Sequence, residues 1–236
     1  MAVAEAKDPS EIVKKSDAWT DLGLTLPIFV AYHLGVAFLP VRNAADPVTA
    51  ELRSLASHSI LLYTGLTLGI GVAFVVVLAA LGKREAIQKK KFFLIAVEGA
   101  LYAFLMRFAG AYIVGSLRLG PAGGNGLFTS IVMSLGAGFY EEIAFRVGLF
   151  GVGAFVLKKL FGKGMRTLVF TVGWALVSAL VFSGWHYVGP LSDPFDLKSF
   201  VFRAVCGFVL TAIYALRGFA PAVWTHALYD VWVMAL

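Results

Sequence analysis

The chain has 236 residues, of which 59% are hydrophobic and 14% charged, with a net charge of +6 and a mean hydropathy of +0.83. Soluble domains carry about a quarter charged residues, so this composition excludes an ordinary soluble fold and points to a membrane protein. The basic excess does not imply nucleic acid, because lysine and arginine gather in short turns between apolar runs, where membrane topology places them.

The first 18 residues mix Lys7, Lys14 and Lys15 with Glu5, Asp8, Glu11 and Asp17, which reads as a solvated tail and not as a cleaved signal peptide. Seven apolar segments follow, each near the 17 to 25 residues or so that a membrane helix needs: Leu22 to Leu39, Ile60 to Leu81, Phe92 to Val114, Leu127 to Leu157, Leu168 to Trp185, Phe200 to Leu216, and Phe219 to Leu236. The expected fold class is therefore all-α, a polytopic transmembrane helical bundle of about seven helices. Leu119 to Gly126 (LGPAGGNG) carries three turn-forming pairs and introduces the fourth segment. No repeat period or low-complexity block divides the chain.

Lys83, Arg84, Lys89, Lys90 and Lys91 follow the second segment, and Lys158, Lys159, Lys163 and Arg166 follow the fourth. With seven alternating helices both turns lie on one side, which the positive-inside rule makes cytoplasmic. The expectation is a multi-pass integral membrane protein of a bacterial or archaeal cell membrane, with its N-terminus inside and its C-terminus outside. The lipid bilayer is its first partner. The sequence sets no oligomeric state.

An ionisable side chain at membrane depth faces the bundle interior, pairs with another, or does chemistry. Those so placed are His33, Glu98, Arg107, Glu141, Glu142, Arg146, His186, Arg203, His226 and Asp230. On an α-helix Glu142 and Arg146, four apart, share a face and pair, whereas Glu141 and Arg146 diverge by roughly 140°. Glu141 thus remains a carboxylate with no local cation, suited to act as a general base. Phe182 with His186, and His226 with Asp230, repeat the four-residue spacing. Both histidines can converge on Glu141, and Asp230 can fix the tautomer of His226. A lone histidine in a membrane helix is more often a packing hydrogen bond.

The ordered set EExxxR (Glu141, Glu142, Arg146), FxxxH (Phe182, His186) and HxxxD (His226, Asp230) resembles the CAAX protease and bacteriocin-processing family of glutamate-type intramembrane endopeptidases. The similarity spans Leu127 to Leu236, which it implies to be a four-helix catalytic core, with residues 1–126 as a tail and three accessory helices. It implies that Glu141 activates a water for attack on a peptide carbonyl, that Glu142 and Arg146 support the site, and that His186 assists proton transfer beside Phe182. It further implies that His226 and the residue four later stabilise the oxyanion. Family members often carry asparagine at that last position, so Asp230 is assigned here to orienting His226. The resemblance implies no cofactor and no metal, and a protein or peptide substrate with a C-terminal signal, lipidated in the CaaX case.

Three other readings stand beside this one. A zinc protease would use the same glutamate and histidines but lacks an HExxH pair. A non-catalytic scaffold or bacteriocin self-immunity protein would have no chemical need for the full motif set. A small transporter would be expected to show two related halves. Cys206, the single cysteine, reads as a packing residue, and Gly65 with Gly69 as a close helix contact.

Depth poses a difficulty. In straight helices rising about 1.5 Å per residue, Glu141 lies roughly 21 Å from the outer start of its helix, and His186 roughly 27 Å and His226 about 10 Å from the inner starts of theirs, so the three do not align. The face to which the site opens decides the substrate. A cytoplasmic opening suits prenylated CaaX proteins, and an outward one suits the C-terminal sorting helix of exported proteins, as in the myxosortase-like branch. Trp185 and Tyr187 lean toward the outer side.

Overall fold

The computed structural model describes residues 17–83, 87–115, 126–189 and 192–235. The tail before Asp17 and most of the turn before Leu127 lie outside the described residues. Every apolar segment forms a helix, in the order α1 (Ala18–Val36), α2 (Val48–Leu55), α3 (Ile60–Ala80), α4 (Lys89–Val114), α5 (Leu127–Gly136), a π-helix (Ala137–Gly151), α6 (Val152–Phe161), α7 (Met165–Trp185), α8 (Leu197–Arg217) and α9 (Phe219–Ala235). No strand occurs among the described residues.

Starts and stops follow local chemistry. Asp17 accepts from the backbone N–H groups of Trp19 and Thr20, Ser59 from that of Leu62, and Asp196 from that of Ser199, so three helices open on side-chain caps. Between α8 and α9 the chain turns on Gly218 alone, whose φ of 116° suits a residue without Cβ. Phe219 N–H then donates to Asp21 Oδ2 at 2.6 Å, tying the start of α9 to α1.

Helices α3, α4, α7 and α8 are each long and apolar enough to cross a membrane. Leu61, Leu68, Val72 and Val76 of α3 and Leu101, Phe104 and Leu105 of α4 are exposed, as a lipid-facing surface requires, while Tyr63, Thr67, Gly71 and Leu78 face inward. The chain is an integral membrane protein built as a helical bundle. Its main core joins Ile28, Tyr32 and Val36 of α1, Leu52 of α2, Phe139 and Tyr140 of the π-helix, and Val223 and Ala227 of α9.

The structure departs from the sequence-based expectations at three points. The stretch between α1 and α3 contains the short helix α2, capped by Asp46, where only a loop was expected. Leu127–Phe161 is helical throughout, but Ala137–Gly151 forms a π-helix, whose hydrogen bonds step back five residues. Its wider turn removes the α-helical angle assumed between Glu141 and Arg146. A Cβ added at Gly65 or Gly69 would meet nothing within 4 Å, so this pair makes no close contact among the described residues. The inward face of α3 lies instead on Tyr63, Thr67 and Gly71.

Candidate active site

The π-helix carries Glu141, Glu142 and Arg146, all buried. Two close approaches hold it. A Cβ at Gly138 would stand 2.6 Å from the Ala227 side chain and 2.7 Å from its backbone nitrogen, so α9 can reach this position only because it is glycine. On the other side, Trp174 of α7 donates its indole N–H to Leu149 O at 3.0 Å.

Glu142 has the fuller set of partners. Its Oε1 accepts from His226 Nδ1 at 2.7 Å and lies 3.0 Å from Arg146 Nη1. The Arg146 guanidinium sits 4.2 Å from the centre of the Phe182 ring, a cation–π contact, and its Nη2 donates to Gly207 O at 3.4 Å. His226 Nε2 in turn faces Asp230 Oδ2 at 3.5 Å. Phe182 lies edge-on to three rings, with centroids 5.1 Å from His186, 5.8 Å from His226 and 5.2 Å from Phe145.

Glu141 stands apart from this set. Its Oε1 accepts from Asn43 Nδ2 at 2.9 Å, and its Oε2 lies 3.9 Å from His186 Nε2, beyond hydrogen-bond distance, and has no hydrogen-bond partner. His186 Nδ1 lies 3.0 Å from Phe182 O. A carbonyl only accepts, so Nδ1 carries the proton, and in the neutral ring Nε2 presents its lone pair toward Glu141. Two acceptors therefore face each other across the gap.

All seven residues singled out from the sequence lie together, but their grouping differs from expectation. His186 faces Glu141, whereas His226 bonds to Glu142. The three residues meet despite the depth arithmetic because α9 packs directly on the π-helix. Phe219 lies edge-on to Phe139 at 6.1 Å between centroids, and Ala227 backs onto Gly138. His226, next to Ala227, reaches Glu142 from this contact.

The remaining intramembrane charges have partners on other elements. Glu98 of α4 takes Arg217 of α8 at 2.7 and 3.2 Å, and the Arg107 guanidinium lies 5.0 Å from the centre of the Trp232 ring. Arg203 donates to Asp193 at 2.5 Å and sits over Tyr187. His33 is fully buried between the hydroxyls of Tyr63 and Tyr140, each at 2.7 Å, which makes it a packing hydrogen-bond centre. Cys206 is buried among Phe202, Leu210 and Tyr229. Among the described residues, no three His, Cys, Asp or Glu side chains are arranged to hold a metal ion.

Asn43 is the contact that sequence reasoning missed. It lies 98 positions from Glu141, in a turn, and no spacing rule relates them.

A membrane-embedded helical bundle enclosing a carboxylate–histidine cluster defines the class. Within it, residues 123–232 match the family described as type II CAAX prenyl endopeptidase Rce1-like, a span that includes all seven site residues. No curated protein and no solved structure matches the chain.

Proposed function

We propose that the chain is a peptidase of this CAAX-type intramembrane family and that Glu141 is its general base. The observation that carries the reading is the pair of facing acceptors, Glu141 Oε2 and His186 Nε2, 3.9 Å apart. One water can donate a hydrogen to each and turn its oxygen lone pairs outward to a peptide carbonyl. As the oxygen attacks, Glu141 takes the water's proton. That proton then passes to the leaving amine, directly or through His186, so the C–N bond breaks without net charge transfer.

Glu142 and Arg146 serve as support. Their mutual neutralisation allows the second carboxylate to sit beside the first, and Glu142 fixes His226 through Nδ1. When the ring is protonated on both nitrogens, between the carboxylates of Glu142 and Asp230, His226 Nε2 is the atom that donates to the oxyanion of the tetrahedral intermediate. Asp230 orients the ring, and Phe182 packs against both histidines and the guanidinium. The mechanism needs no metal or cofactor.

Topology favours an exported substrate. Gly35 lies against Val132 and Gly136 against Tyr32, so α1 and α5 are antiparallel and α1 starts at the end where α6 finishes. Lys83 pairs with Asp17 at that same end, which also holds Lys158, Lys159 and Lys163. If these lysines are cytoplasmic, His186 and Asn43, near the opposite ends of α7 and α1, face outward together with the N-terminus-inside arrangement. The substrate is then a membrane-tethered or exported protein cut near a C-terminal sorting segment. A cytoplasmic prenylated CaaX protein is the alternative to be tested.

The test uses purified wild type and Glu141→Gln in detergent micelles. Two probes are offered: a farnesylated CaaX peptide, and a reporter domain ending in a membrane-spanning sorting segment. Wild type is expected to cut the sorting-segment reporter, and Glu141→Gln to lose about 100-fold or more of that rate. Equal cleavage by the two proteins would remove Glu141 from the chemistry. Cleavage of the prenylated peptide alone would make a prenylated CaaX protein the substrate and overturn the exported-substrate reading.

A further inference from the structure

Glu141 is held by a residue outside the family-matched segment. Asn43 lies in the connection between α1 and α2, and its side chain is buried against the π-helix. Its amide orientation is fixed, because Oδ1 accepts from Ala45 N–H at 2.8 Å and so Nδ2 must be the atom that meets Glu141 Oε1 at 2.9 Å.

The turn that presents Asn43 is itself built in. Asn43 N–H donates to the Tyr32 hydroxyl at 3.1 Å, and that hydroxyl donates to Asp46 Oδ2 at 2.7 Å. Asp46 also caps α2 by accepting from the N–H groups of Val48 and Thr49 and from the Thr49 hydroxyl, while Arg42 bonds the Asp46 carbonyl at 2.7 Å. Asn43 is thus tied to α1 through Tyr32 and, through Tyr32 and Asp46, to the start of α2. The result at Glu141 is asymmetric. One oxygen is engaged, and the other is aimed at His186.

We propose that Asn43 is a positioning residue of the catalytic site: it pins Oε1 of Glu141 so that Oε2 faces His186 and the substrate, and the α1–α2 connection forms the roof of the site. This rests on the reading of Glu141 as the base. The N-terminal helices are then a working part of the enzyme as well as its packing.

The test compares Asn43→Asp with wild type on whichever probe wild type cleaves. Aspartate has the same shape and keeps the acceptor for Ala45, but presents an oxygen to Glu141 in place of the N–H donor. The expected result is a fall in kcat per folded molecule of about 10- to 100-fold with KM within about twofold, beside a lowered melting temperature, because a carboxylate then lies buried against Glu141. A merely structural role would lower the melting temperature and leave kcat per folded molecule unchanged, which would overturn the proposal. Asn43→Ala carries the same kinetic test if the aspartate variant does not accumulate.

A second measurement needs no substrate. The carboxylate infrared band that Glu141→Gln removes is expected to shift in Asn43→Ala, and an unshifted band would contradict the assigned hydrogen bond. Controls separate the two readings. A fully active Glu141→Gln defeats the function itself, whereas an inactive Glu141→Gln beside a fully active Asn43→Asp removes only the role of Asn43.

Discussion

Two adjacent carboxylates in an apolar bundle each carry a desolvation cost of several kcal/mol unless a partner answers the charge. The chain answers them differently. Glu142 has a guanidinium and an imidazole on one oxygen, whereas Glu141 has a single amide donor and a distant histidine. The Glu142–Arg146 pair was legible from a spacing of four, and the convergence of the motif residues from the family resemblance, whereas depth counted along straight helices spoke against it. Asn43 was not, because an ordinary turn asparagine acquires its meaning only when the fold brings it to Glu141. Removing Arg146 tests the support role. Arg146→Ala leaves a buried carboxylate and an unfilled place over Phe182, and about 3–5 kcal/mol of stability should be lost, seen as a sharply lower folded yield in membranes. An unchanged yield would mean that the pair contributes nothing to tolerance of the site.

At the scale of elements, the π-helix is the feature that hydrophobic pattern could not reveal. The apolar run from Leu127 reads as one long α-helix, because the residue pattern is compatible with either ladder and the choice is made by tertiary contacts. Those contacts are concentrated at the site: Gly138 under Ala227, Glu142 on His226, and Trp174 on Leu149. Helix α2 escaped for a different reason, since eight residues with Glu51 and Arg53 give too short and too polar a signal. Its cap, Asp46, matters through its tertiary bond to Tyr32. Two glycine substitutions separate tight from open positions. Gly138→Ala should cost about 1–3 kcal/mol and reduce activity, since the clash is with backbone atoms of α9. Gly173→Ala, with nothing within 4 Å of the added carbon, should be neutral or stabilise by up to about 1 kcal/mol. Thermal unfolding of the detergent-solubilised variants reads both, and equal effects would deny that the π-helix depends on the close approach of α9.

Across the whole molecule, the segment before residue 123 and the family-matched segment are knitted together. Glu98 meets Arg217, Trp224 bonds the Leu24 carbonyl at 2.9 Å, Tyr140 shares His33 with Tyr63, and Asn43 reaches Glu141. The bundle as a class was legible from composition and run length alone. The close packing of α9 on the π-helix was not, because arithmetic along straight helices leaves out the contact that Gly138 allows and the single-residue turn at Gly218. What the bundle achieves, on the reading advanced above, is a carboxylate that acts on water within an apolar wall. A single turnover in oxygen-18 water tests that most directly. The account predicts that the label enters the new C-terminal carboxyl of the product and is absent from the Glu141 side chain. Label recovered in the peptide containing Glu141 would mean that the carboxylate attacks the substrate itself, and would contradict it.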